Sequence, residues 1–216
     1  MNFLNPTKSQ DHPQIMPIPP QIILASQSAI RQKILRDAGV IFKALPARVD
    51  EENVLLSLQA ENASPRDIAD TLAELKAEKI ARKYPEAVVL GSDQILSFQE
   101  KLLTKPETPE IAREHISAFS GETHSLISAA VIYFDGKPVW RNIAIAKMTV
   151  RNLSEDYIRA YVDRNWSEIQ YCVGAYQIES EGARLFSRID GSYHAVLGLP
   201  LLPVLGYLTQ RGWIEG

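Results

Sequence analysis

Ile22–Asp37 reads IILASQSAIRQKILRD, and this stretch decides the class of fold. Ile22, Ile23 and Leu24 form a short apolar run suited to a buried strand, and Ala25–Ala29 interrupt it with small and polar residues. From Ile30 onward, Ile30, Ile34 and Leu35 recur at helical spacing, with Arg31, Lys33 and Arg36 between them. A strand that enters a helix through a small, hydroxyl-rich turn aims free backbone N–H groups at one point. The helix N-terminus also carries partial positive charge, so such a turn is a seat for phosphate. Arg31, one turn in, can add a bidentate guanidinium contact. On its own the stretch reads first as an ordinary strand–helix connection with a Ser N-cap, and the phosphate reading needs support from elsewhere in the chain.

Composition sets the bounds. A chain of 216 residues holds one good-sized domain or two small ones. Apolar content of 45% and charged content of 23% are those of an ordinary globular protein. A formal charge of −3 gives no broad attraction to nucleic acid or an anionic membrane, so any phosphate binding must be local. The single cysteine, Cys172, excludes an intrachain disulfide and a multi-cysteine metal site. It lies in an apolar-rich stretch and reads as a core thiol rather than a nucleophile. Residues 1–20 contain five prolines and lack the basic start and apolar run of a signal peptide, so they read as an extended, poorly packed arm. No apolar window reaches the length of a membrane span, and the chain reads as cytosolic.

Further along, Ile41–Leu45 predicts a strand that leads into the loop acids Asp50, Glu51 and Glu52. Three carboxylates in a row can ligate a hard cation, although taken alone they read as a solvated cluster or as acids favouring a following helix N-terminus. Ser64-Pro65-Arg66-Asp67 is a strong helix start, and that helix runs to about Tyr84. Ile68, Leu72, Leu75 and Ile80 mark its buried stripe, and Lys76 falls inside it. Such a lysine either snorkels at the margin or reaches an anion in a cleft. Ala87–Leu90 and Ile95–Phe98 are strand-like runs flanking Gly91-Ser92-Asp93-Gln94. Asp93 there is placed for a metal ligand or general base, or else for a turn aspartate bonding its own backbone. Lys105 ends a short segment before a Thr108-Pro109 helix start, and that helix closes near Phe119. Ser125–Phe134 and Val139–Val150, joined at Asp135-Gly136, predict a long hairpin. An amphipathic helix after Ser154, a strand at Leu185–Ile189 and a terminal helix from Leu201 to Arg211 complete the pattern. Early alternation of strands and helices around a central hairpin indicates a mixed α/β sheet in a single domain, residues 21–216. There is no P-loop, no Gly-x-Gly-x-x-Gly, no nucleophile elbow and no metal-ligand spacing among the four histidines.

Eight pieces in order carry a resemblance: LASQSAIRQKIL (24–35), VDEE (49–52), LAELKA (72–77), GSDQ (91–94), LTKP (103–106), FSGETH (119–124), VGAYQIESEG (173–182) and VLGLPL (196–201). Together the chain resembles the Maf family of nucleotide pyrophosphatases. The resemblance implies a mixed, strongly bent α/β sheet flanked by helices, with two lobes around a nucleotide cleft. It also implies hydrolysis of nucleoside triphosphates between the α- and β-phosphates, dependence on a divalent cation (Mg²⁺, Mn²⁺ or Co²⁺), and commonly a homodimer. By the match, Ser26, Arg31, Lys76 and Lys105 would hold phosphate, Glu51 and Asp93 the metal, and Asp93 would activate water. Ala29 and Ile30 stand where the family commonly has Pro and Arg. Gln94 and Glu179 resemble the branch acting on 7-methyl-GTP more than the branch acting on dTTP and UTP, and a carboxylate such as Glu179 accepts from the N1–H and amino edge of guanine. The other reading is a nucleotide-binding regulatory protein, linked to cell division, that turns over little.

Overall fold

The computed structural model describes residues 19–216. The expected arm at residues 1–20 lies almost wholly outside them. In chain order the elements are β1 (Ile22–Leu24), α1 (Ala29–Asp37), β2 (Lys43–Ala44), α2 (Glu51–Ala60), α3 (Pro65–Ala81), β3 (Val88–Phe98) and β4 (Lys101–Leu103). There follow α4 (Pro109–Phe119), β5 (Thr123–Phe134), β6 (Lys137–Val150), α5 (Glu155–Ile169), a 3₁₀ turn (Glu181–Leu185), β7 (Phe186–Asp190), α6 (Tyr193–Val196) and α7 (Leu201–Gln210).

The seven strands form one mixed sheet in the order β2-β1-β3-β5-β6-β7, with β4 paired to β3. β1 runs parallel to β2 and β3, and the remaining pairs are antiparallel. The β5–β6 hairpin is its spine, as the sequence predicts. Asp135 and Gly136 at its turn both have positive φ, the backbone that matches the twist of the flanking strands. The core divides along these long strands. At one end α3 packs on one face of β1, β3 and β5, while α1 and α7 pack on the other. At the far end α4, α5 and β7 enclose Leu96, Phe98, Leu126 and Met148. Between the two lobes the long strands carry polar residues, Ser92 and Asp93 on β3 and Ser128 on β5, all of them buried. Among the described residues no helix is long and apolar enough to cross a membrane.

Three local expectations are corrected. The predicted strand at Ile41–Leu45 shrinks to Lys43–Ala44, and Ile41 is 91% exposed because β2 lies at the sheet edge. The acids at 50–52 do not sit in a loop: Asp50 caps α2 by accepting from Asn53 N–H, and Glu51 and Glu52 form its first turn, where the helix dipole favours them. The two runs around Gly91–Gln94 are one strand. Asp93 pairs with Ala129 in mid-ladder, so it is no turn aspartate. Glycine is required at 91 by packing. A Cβ there would meet Ala73 O at 2.2 Å and Ala77 N at 2.7 Å, so its absence lets α3 lie directly on β3.

Candidate active site

The close approach of α3 to β3 puts an ammonium against a carboxylate. Lys76, buried at 8% exposure as its place in the apolar stripe predicts, donates to Asp93 Oδ1 at 2.6 Å. Its Nζ also stands 3.0 Å from Glu51 Oε1 at the start of α2. Two acids therefore share one cation, and one of them is buried. Burial pushes the Asp93 carboxyl above its ordinary range, while Lys76 and then Arg31 pull it back and Glu51 adds to the rise. A carboxylate so placed takes a proton closer to neutrality than a free one does.

Arg31 ties the first turn to this cluster. Its Nε donates to Gly198 O at 2.8 Å, and its Nη1 donates to Ser92 O at 3.0 Å and reaches Ser26 Oγ at 3.4 Å. Burial lowers the Arg31 pKa, opposed by the charges of Asp93 and Glu51. Gly198 has φ +91, and a Cβ there would crowd the Arg31 guanidinium at 3.2 Å. Ser92 Oγ bridges Ala129 O (2.8 Å) and the same Gly198 O (2.9 Å). In the turn, Ser28 caps α1 by accepting from Arg31 N, and Ser28 N donates to Ser26 Oγ. As N1 and N2 of the helix, Ala29 and Ile30 have N–H groups without intrahelical partners. Most of Arg31 is thus committed to protein oxygens, and Nη2 is the part left to reach outward.

Gln94 lies one residue beyond Asp93 on β3. Its Nε2 donates to Ser128 Oγ (3.0 Å), Ala195 O (2.9 Å) and Val196 O (3.0 Å), so its amide nitrogen is engaged by α6 and β5. Glu179 lies away from Asp93, in the loop before the 3₁₀ turn, where it lines a cavity of about 310 Å³ with Ile30, Tyr193, His194 and Leu197. Lys105 is exposed beyond β4. Cys172 is half-buried and outside the apolar clusters, so it is not the core thiol that its apolar-rich stretch predicts; desolvation pushes its pKa up, opposed by a hydrogen bond with Gln177.

The structure brings Ser26, Arg31, Glu51, Lys76 and Asp93 together; Glu179 lines a separate cavity, and Lys105 is exposed beyond β4 and is not brought to either. Sequence reasoning missed Ser92, Ser128 and Gly198, which hold these groups in place. A buried serine next to a functional acid, and a glycine between two leucines, carry no chemistry of their own by which to be singled out. His124 lies on β5, outside this cluster. It is buried, stacks on Phe119 at 4.4 Å and hydrogen-bonds Tyr176 Oη at 2.7 Å, and burial lowers its pKa to about 4.

Among the described residues no group of three or more His, Cys, Asp or Glu side chains is placed to cage a metal. The two carboxylates Asp93 and Glu51 are nonetheless a fitting donor set for a magnesium-type ion, which takes one or two protein carboxylates and completes its shell with water and substrate phosphate. Lys76 occupies one oxygen of each, Oδ1 and Oε1.

The Maf-like protein family matches residues 21–211. A nucleoside triphosphate pyrophosphatase of Ruegeria sp. (strain TM1040) is 52% identical over 194 residues, 90% of this chain and 98% of the relative. One from Roseobacter denitrificans is 53% identical over 195 residues, again 90% of this chain and 98% of the relative. A 7-methyl-GTP pyrophosphatase of Rhizobium etli is 42% identical over 197 residues, 91% and 99% of the two chains. With residues 21–211 matched by the family and relatives at about half identity covered over nearly their whole length, the chain belongs to the Maf family.

Proposed function

We propose that the chain is a nucleoside triphosphate pyrophosphatase that hydrolyses the α–β phosphoanhydride, yielding a nucleoside monophosphate and pyrophosphate. The class, a hydrolase acting on nucleotide anhydrides, rests on relatives of that activity at about half identity over nearly their full length. One observation carries the residue-level reading: a buried carboxylate, Asp93, held by a buried ammonium, Lys76, beside the Arg31 turn.

Asp93, its proton affinity raised by burial, accepts a proton from the water that attacks the α-phosphorus. The water oxygen bonds to phosphorus, the bridging oxygen leaves with the β-phosphate, and pyrophosphate carries the charge away. Lys76 has three N–H donors. Two are directed at Asp93 and Glu51, and the third is free for a phosphate oxygen. Arg31 Nη2, Ser26 and the N–H groups of Ala29 and Ile30 bind phosphate at the first turn. When bound to Glu51 and Asp93, a divalent cation supplies further charge neutralisation on the triphosphate. Glu179 reads the base edge, and Gln94 acts through α6, which it holds. With Glu179 and Gln94 in these places, the favoured substrate is a modified guanine nucleotide, 7-methyl-GTP, ahead of dTTP or UTP. We place this house-cleaning reaction in the cytoplasm, on free nucleotide and in a homodimer.

The test is a turnover panel with Mg²⁺ or Mn²⁺, covering the common nucleoside and deoxynucleoside triphosphates and 7-methyl-GTP, with pyrophosphate and orthophosphate scored separately. The expected result is pyrophosphate, one per monophosphate, fastest from 7-methyl-GTP. Orthophosphate alone would overturn the bond assignment, faster dTTP or UTP would overturn the base assignment, and tight binding without turnover would favour a regulatory protein.

A further inference from the structure

The cavity of about 310 Å³ beside the catalytic cluster has an aromatic wall to which no role has yet been given. Its aliphatic lining comes from Ile30, Ile34 and Leu197, with the Lys33–Asp37 ion pair further along α1; Glu179 supplies a second carboxylate, and Tyr193 and His194 of α6 supply the aromatic rings. Tyr193 is 49% exposed, and its ring meets the His194 ring edge to face at 6.0 Å. A large aromatic left half in solvent at the mouth of a cavity is an unused π face.

Two pairs of chain neighbours tie this cavity to the phosphate end. Ile30 lines the cavity while Arg31 binds the first turn, and Leu197 lines it while Gly198 O accepts from Arg31 Nε. The cavity and the Arg31 turn are thus built on adjacent residues of the same two segments. On its inner side α6 is fixed to the sheet. Ala195 O and Val196 O accept from Gln94 Nε2, and Ala195 O also accepts from Ser128 Oγ at 2.7 Å. The residue next to Asp93 therefore sets the position of the helix that carries Tyr193.

We propose that Tyr193 is the stacking platform for the substrate base, with Gln94 as the positioning residue that seats α6 beneath it. The inference rests on the nucleotide reading above and deepens it. A base held by its phosphates at the Arg31 turn enters the cavity over Ile30, lies against the Tyr193 ring and turns its hydrogen-bonding edge to Glu179. Stacking on an aromatic side chain suits any base. It gains most with 7-methylguanine, because alkylation at N7 leaves the ring positively charged and an aromatic face attracts a cation. The same cation stands near the Glu179 carboxylate. An aliphatic residue at position 30 leaves this stacking to Tyr193.

The experiment compares Tyr193→Leu, Tyr193→Phe and Tyr193→Trp, with KM and kcat for 7-methyl-GTP and GTP and the inhibition constant for inorganic tripolyphosphate. Tyr193→Leu should raise KM for 7-methyl-GTP about tenfold and for GTP about threefold, with kcat within twofold. Tyr193→Phe and Tyr193→Trp should keep KM near that of the parent, and tripolyphosphate inhibition should stay unchanged in all three. Unchanged KM in Tyr193→Leu would overturn the platform. So would a parallel weakening of tripolyphosphate inhibition, which would mark a general disturbance of α6. If the parent protein prefers dTTP or UTP, the 7-methyl-GTP reading fails while the same KM comparison on that substrate still judges Tyr193. If turnover is too slow for kinetics, the dissociation constant of the monophosphate gives the same comparison.

Discussion

Helix α3 carries two clusters in which a pair of acids shares one cation, and they differ in what surrounds them. Toward β3, Lys76 faces Asp93 and Glu51, with Lys76 and Asp93 buried. Toward β6, Asp70 and Glu74 hold Arg141, whose side chain is 46% exposed, and Tyr133 Oη donates to Glu74 at 3.0 Å. The Arg141 fork gives a separate nitrogen to each acid, Nη1 to Asp70 and Nη2 to Glu74, whereas the single ammonium of Lys76 must serve both of its partners. Water screens the outer cluster, which fastens α3 to the hairpin. In the inner cluster, desolvation leaves Asp93 with a raised proton affinity and one negative charge more than Lys76 matches. The same ionic parts therefore fasten two elements where the cation is half exposed, and hold a carboxylate of raised proton affinity where the cation and one acid are buried.

The largest expected break in this contrast is Asp93→Asn. It should lower turnover by about 10³-fold, the scale of a lost general base, with the protein still folded. The outer counterpart, Asp70→Asn, should leave turnover within twofold, as steady-state kinetics on both variants would show. Lys76→Met should lower kcat/KM by about 10²-fold, since it removes both a phosphate donor and the charge that holds Asp93 ionised. Gly91→Ala tests the distance between α3 and β3. The added methyl must displace the Ala73 and Ala77 backbone, and chemical denaturation should find a loss of about 2–3 kcal/mol together with reduced turnover. The smallest effect belongs to Arg141→Met, about 1 kcal/mol, or about 3 °C in Tm by calorimetry, with kinetics unchanged.

Much of this contrast was legible in the chain. The strand-to-helix turn at Ile22–Asp37, the Ser64-Pro65 helix start, the Asp135-Gly136 hairpin and the inward lysine in the apolar stripe of α3 are all local signals, because caps, turns and helical period are fixed by neighbours in sequence. Helix α2 was missed because its apolar residues are only half buried and its acidic start resembles a solvated loop. The continuity of β3 through Gly91–Gln94 was hidden for another reason. Polar residues in mid-strand, Ser92 and Asp93 among them, are stabilised by partners on β5, α3 and the Leu197–Gly198 loop, some of them more than a hundred residues away. The cavity beside the Arg31 turn is likewise lined by residues far apart in sequence, Ile30 and Leu197, and no local pattern joins them.

The buried proton site is tested most directly by the pH dependence of kcat/KM in the parent protein, Lys76→Met and Arg141→Met, measured with one substrate so that its own titration is common to all three. The Asp93 pKa is raised by burial and held down chiefly by Lys76, and the proposed mechanism uses the carboxylate ionised, so activity should fall as pH drops through its pKa. The acid limb of the parent should lie above the ordinary carboxylate range, move to still higher pH in Lys76→Met, and stay in place in Arg141→Met. An acid limb that stays in place in Lys76→Met, or moves equally in both variants, would contradict the assignment of Asp93 as the base.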